Sequence, residues 1–166
     1  MKPGDAAASL DAEQAAFVSG AVSINVSSRD ANFVPSVARA FGCRVAMDGG
    51  RVTVFLPSAR AEGVLLRPAT RRPGIGGVQP PEHPPHPAGQ GRRRRGSAPA
   101  RGERDLMLDY ARCFGEEIRA LDFDEAFVRA MASGAGEDAV AVCFTPPAVY
   151  DQTPGPGAGR RVAPGP

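Results

Sequence analysis

His83 and His86 are the only histidines in the chain, and they stand three residues apart. On a helix, that spacing is a metal-ligand pattern. Here the run reads EHPPHP, and Pro84 and Pro85 exclude a helix. Glu82 is the one carboxylate beside them and no cysteine is near, so the sequence gives no metal site. Cys43, Cys113 and Cys143 are odd in number and far apart. They form neither a disulfide framework nor a C-x-x-C pair, and they read as small buried thiols. Glu116 and Glu117 are adjacent, so on a helix they point different ways and read as solvated. No nucleophile stands with a base. The run GPGAGR at 155–160 lacks the strand–turn–helix setting that a dinucleotide loop needs.

The arginines offer more. In PSVARAFG alternation places Val37, Arg39 and Phe41 on one strand face. A guanidinium on an apolar face either reaches the rim or meets an anion, for which its fixed fork of donors is suited. Ser36 could add a hydroxyl, and Arg44 at the start of the next strand is a second candidate. Arg92–Arg95 form a basic run, but no aromatic residue lies among them to stack on bases. With a net charge of only +2, that argues against a nucleic-acid partner.

These residues need elements to hold them. LDAEQAAFVSG reads as a short helix, capped by Asp11 with Gln14 three residues on, and ended by Gly20. AVSINVSS alternates, with Val22, Ile24 and Val26 on one face. CRVAMDGGRVTVFLP reads as a β-hairpin: Val45 and Met47 alternate before Asp48-Gly49-Gly50, and Val52, Val54 and Leu56 after it. SARAEGVLL follows as a short helix. Met107, Tyr110, Ala111, Phe114, Ile118 and Leu121 recur at helical spacing. Asp124 opens a further helix, and DAVAVCFTP alternates as a strand. The chain ends in turn-rich text.

Between Arg67 and Glu103 no period is visible. The 20 Gly and 17 Pro concentrate there and after residue 146, so the globular text falls in two blocks of one domain. The expected division is a disordered 1–9, a first block at 10–66, a disordered segment at 67–103, a second block at 104–153, and a flexible tail at 154–166. No apolar run is long enough to span a bilayer, and MKPGDAAASLDAEQ lacks the apolar core of a signal peptide. The expectation is a cytoplasmic protein without a membrane partner. The fold class expected is α+β: an antiparallel barrel with peripheral helices, its central strand pair replaced by an irregular Pro/Arg-rich segment. The visible strands are too few to close a barrel, so the missing ones belong in the gap.

The stretch VSINVSSRDANFVPSVARAFGCRVAMDGGRVTVFLP resembles the first strands of the FMN-binding split-barrel class, the pyridoxamine 5′-phosphate oxidase-like proteins. The likeness covers about 10–66 and about 102–159, including FTPPAVYDQTPGPGAG. It implies a homodimer with FMN at the interface and an unidentified small-molecule substrate. It also implies a flavin phosphate held by Arg, Lys, Ser and Thr of the barrel strands. Carried onto this chain, the cofactor-binding candidates are Ser36, Arg39, Arg44, Gln152 and Thr153, with no catalytic residue named. Any redox chemistry would be the flavin's, oriented and tuned by the protein. The alternative is a non-catalytic cofactor-binding or interaction protein with a basic loop.

Where the class carries a strand pair with an RT.Q.KG-like run, this chain has GVQPPEHPPHPAGQG. Back-translated and shifted by one nucleotide, the Gln–Pro and Glu–His junctions yield Ser or Asn. The His–Pro junctions yield Thr or Ile, and Gln–Gly yields Lys or Arg. One allowed reading is VFSRPSTHRTLQVKG, which restores the motif. The expectation is that about 67–101 was translated from a shifted frame, or is otherwise a natural insertion. The chain as written should then bind flavin poorly.

Overall fold

The computed structural model describes residues 8–29, 32–65, 74–78, 87–93, 102–135 and 139–162; over 74–78 and 87–93 it describes the backbone. Helix α1 (Ala12–Ser19) begins at the capping box read from the sequence: Asp11 accepts from the Gln14 amide, and the Gln14 side chain accepts from the Asp11 amide. Strands β1 (Ser23–Arg29) and β2 (Pro35–Ala40) pair antiparallel, and β3 (Cys43–Val45) pairs with β4 (Val52–Pro57) as the expected hairpin. Helix α2 (Ser58–Leu65) follows. Next come β5 (Gly74–Val78) and β6 (Pro87–Arg93), helices α3 (Glu103–Ala120) and α4 (Glu125–Ala132), and β7 (Ala139–Asp151).

The strands form one seven-stranded antiparallel sheet in the order β2-β1-β5-β6-β7-β4-β3. It curls until its two ends meet. The Phe41 amide, just past β2, donates to the Phe55 carbonyl of β4 at 2.8 Å, and the Phe55 amide donates to the Gly42 carbonyl at 3.1 Å. The largest fully buried side chains, on the two faces of the sheet together, include Val26, Phe41, Val54, Phe55, Leu56, Val142 and Val149, with Met107 of α3. Gly42 makes the junction possible. Its φ is +120°, and a Cβ there would stand 2.6 Å from Leu106 Cδ2.

The central segment departs from expectation. Residues 67–103 read as irregular, yet β5 and β6 lie within them. β5 pairs with β1, β6 with β7, and the two with each other. Ladder bonds use backbone groups, so a Gly-rich segment can satisfy the open edges of β1 and β7 without a strand-like side-chain pattern. The missing strands do fall in the gap, as the count of visible strands required. The histidine pair and Arg94–Arg95 lie outside the described residues.

One further reading is corrected. In β2 the buried residues are Ala38 and Ala40, not Val37, which is 66% exposed. The register sets Val26 opposite Ala38 and Ile24 opposite Ala40, so small residues meet large ones inside the curl and Val37 and Arg39 turn outward. Ala8 is fully buried and its amide donates to the Pro146 carbonyl at 2.8 Å. Pro154–Val162 return along β7 through a Tyr150–Arg161 bridge and a bond from the Val162 amide to the Val149 carbonyl.

Candidate functional site

Arg39 lies on the outward face of β2, opposite Asn25 of β1. Helices α3 and α4 cover it. The guanidinium carbon stands 4.2 Å from the centre of the Phe114 ring, a partly buried cation–π contact of about 1 kcal/mol. Nη1 donates to the Met131 sulfur at 3.8 Å. Tyr110, one turn before Phe114, stacks on that ring at 5.9 Å and donates its hydroxyl to the Val22 carbonyl. Burial raises the Tyr110 phenol above its ordinary range, against the opposing pull of the nearby Arg39 charge.

Nε and Nη2 of Arg39 are buried and make no hydrogen bond of good geometry, although the Tyr110 oxygen stands near enough to the Arg39 side chain to lower the phenol's pKa by hydrogen bonding. They are the two donors on one edge of the guanidinium, the edge that grips a carboxylate or phosphate with two parallel bonds. Leaving such donors buried and unpaired costs about 1–3 kcal/mol each. Phe114 lies against the guanidinium face and Met131 engages the third nitrogen, which leaves the Nε–Nη2 edge buried between them and the sheet.

The other candidates do not converge on that edge. Ser36 shares the inward face with Ala38 and Ala40 and lies beside Gly63 of α2. Its register partner Ser28 is buried, with a hydroxyl that has no partner. Arg44 is engaged by Glu103 at 2.7 Å, a carboxylate only 6% exposed in the first turn of α3. Gln152 is exposed, and the Thr153 amide donates to a carboxylate oxygen of the buried Asp151 at 2.9 Å. The structure thus separates Ser36, Arg39, Arg44 and the Gln152–Thr153 pair into four surroundings. Sequence reading missed Glu103, Met131 and Phe114 as neighbours of the arginines. The helical stripe marked Phe114 as apolar, but nothing local told which strand residue it would cover.

Among the described residues, no group of three or more His, Cys, Asp or Glu could hold a metal ion, and no helix is long and apolar enough to cross a membrane.

No family profile and no curated protein sequence matches this chain. Solved structures do. An F420 reductase superposes with a TM-score of 0.51 at 9% identity, covering 85% of this chain and 98% of its own. The fold is a split barrel. Looser likenesses to other split barrels are a proposed pyridoxamine 5′-phosphate oxidase from Lactobacillus delbrueckii (TM-score 0.45, 12% identity, covering 86% of this chain and 92% of that one) and the haem storage protein HutZ from Vibrio cholerae (TM-score 0.40, 14% identity, covering 83% and 90%).

Proposed function

We propose that this split barrel binds a flavin, FMN in the first instance, and serves as a flavin-dependent oxidoreductase of the pyridoxamine 5′-phosphate oxidase-like type. The observation that carries the reading is the buried Nε–Nη2 edge of Arg39, whose two donors suit the terminal phosphate of FMN once it is uncovered. The likeness of fold to an F420 reductase supports it. When bound, the flavin would supply hydride or electron transfer. The chain would hold the phosphate at Arg39, with Ser36, Arg44, Gln152 and Thr153 as lesser candidates. Arg44 is the weakest of these because Glu103 already neutralises it. The ground for expecting poor binding was a sheet without its central pair; β5 and β6 remove that ground, although the polar motif of the class is still absent.

A homodimer in the cytoplasm belongs to the same proposal. Phe33, Val34 and Val37 are 66%, 46% and 66% exposed around the β1–β2 hairpin, and a second copy would cover them. The same bare residues favour the second reading, a non-catalytic interaction protein.

The deciding experiment is a titration of FMN into the purified chain, read by flavin fluorescence. Saturable quenching at micromolar concentration that is lost in Arg39→Met supports the flavin reading. Unquenched flavin with a colourless protein sinks it and leaves the interaction reading.

A further inference from the structure

We propose that α4 is a cover over Arg39 that a small-molecule oxyanion, a carboxylate or a phosphate, lifts in order to bind. The inference rests on Arg39 being an oxyanion ligand, as in the flavin reading, but not on the oxyanion being a flavin's. Three observations lead to it.

The first is that the Nε–Nη2 edge is unpaired and out of contact with solvent. An oxyanion cannot reach it in this conformation, so binding requires something to move. Among the described residues, Phe114 and Tyr110 of α3 and Met131 of α4 stand against the guanidinium.

The second is that α4 is held lightly. It is 8 residues long and Val128 is its single buried side chain. Met131 and Ala132 are only partly buried against the core, and the helix's polar ties are at the surface: the Asp124 cap on the Phe127 amide, the two-bonded Arg119–Glu125 ion pair between exposed partners, and a long 3.4 Å contact from Arg60 to Ser133. Exposed ion pairs hold a helix weakly. By contrast α3 buries Met107, Tyr110, Ala111, Phe114 and Ile118. Phe114 therefore stays and α4 is the element that can leave, as low-stability elements do at binding sites.

The third is the seat itself. Gly115 of α3 faces Val128, and a Cβ at that position would stand 3.3 Å from Val128 Cγ1. The close approach of α4 depends on that missing methyl. Asp124, which caps α4, and Asp122, whose φ is +66°, lie at the joint between the helices and give the short link a defined bend.

In the closed state Arg39 loses solvent and gains no partner on its fork. In the open state the fork is free for two charge-assisted bonds, which supply the differential affinity that a ligand needs to shift the balance. Phe114 keeps the guanidinium plane aligned in both states.

The test is hydrogen–deuterium exchange of the full chain, following the amides of 124–133, with inorganic phosphate as the probe and FMN and riboflavin in parallel. Wild-type protein should show saturable phosphate binding with faster exchange across α4 and none across α3. Arg39→Met should abolish both, and Arg39→Lys, which keeps the charge but not the fork, should weaken both while retaining the wild-type melting profile. Val128→Ala, which loosens the seat and leaves Arg39 intact, should tighten phosphate several-fold. Binding that leaves α4 exchange unchanged, binding that survives Arg39→Met, or no binding of phosphate or FMN overturns the cover. Phosphate that opens α4 while FMN fails to bind keeps the cover and sinks the flavin reading. FMN that competes with phosphate while riboflavin does not identifies the cofactor's phosphate as the oxyanion; phosphate bound beside FMN points to a second ligand.

Discussion

Cys43 is 4% exposed at the first position of β3, and burial pushes its thiol up to about 12 from an ordinary value of 9.0. The sequence called for a buried thiol, and for this cysteine that reading holds. The consequence is twofold. The thiolate is the reactive form, so Cys43 should resist a thiol reagent at pH 8 in the folded chain, while the half-buried Cys113 and Cys143 react first. Mass spectrometry of the labelled peptides reads the order directly. The stability effect has a definite sign. Above pH 9 the unfolded chain loses this proton and the folded chain keeps it, so the folded state binds more protons and stability falls as pH rises towards about 12. Urea unfolding measured across that window should flatten in Cys43→Ala relative to wild type. The Arg44–Glu103 pair is a second test at this scale. Glu103 is buried while Arg44 is 56% exposed, so the pair is only partly screened by solvent. Arg44→Met should cost about 1–2 kcal/mol in denaturant unfolding, with FMN binding unchanged if Arg44 plays no part in it.

At the level of elements, the hairpin shows what local chemistry can and cannot announce. Asp48-Gly49-Gly50 was legible as a turn, and Gly49 does take a φ of +68°. The Gly50 amide donates to the Asp48 carboxylate at 3.0 Å. Invisible in the sequence was the N-terminal strap laid across the turn. The Leu10 amide donates to the Gly49 carbonyl, and a Cβ on Gly49 would stand 2.0 Å from the Leu10 carbonyl oxygen. Left-handed backbone alone costs a side chain about 1–2 kcal/mol; here backbone must also move. Gly49→Ala should therefore destabilise by at least about 2 kcal/mol in denaturant unfolding, whereas Gly102→Ala, where φ is +90° but nothing lies within 4 Å, should cost only the conformational part. The error in β2 has a related origin. Period-two reading identifies two faces but not which one is inside. Ala38 and Ala40 carry little hydrophobic signal, so the louder Val37 and Phe41 set the assignment. Cross-strand pairing with Val26 and Ile24 decided otherwise. Helix ends, by contrast, were legible because caps are local: Asp11 and Asp124 both accept the bonds their positions called for.

For the whole molecule, the telling segment is the one that resisted reading. A curled sheet with β1 and β7 as open edges would expose two rows of unpaired backbone groups, and β5 and β6 occupy the position between them. The topology therefore demands two strands where the residue types, GIGGV and PAGQGRR, give little reason for them. Strand interiors rich in glycine lose more entropy on folding and leave fewer side chains to pack. The pairing of β6 with β7 also slips between Gln90 and Arg92. A fold that needs these strands and a text that scarcely encodes them are reconciled if the gene's neighbouring frame once carried the strand residues. The allowed reading VFSRPSTHRTLQVKG alternates as LQVKG over the part that falls on β6. High-accuracy sequencing of the codons for 66–103 should find one base gained and one lost near the two ends of the segment. The chain rebuilt from the restored frame should melt higher than the chain as written and bind FMN more tightly, because apolar side chains would enter the curl where glycine now stands. If the frame stands as written and the rebuilt chain melts no higher, the segment is native to this protein, and backbone pairing alone suffices to complete the sheet.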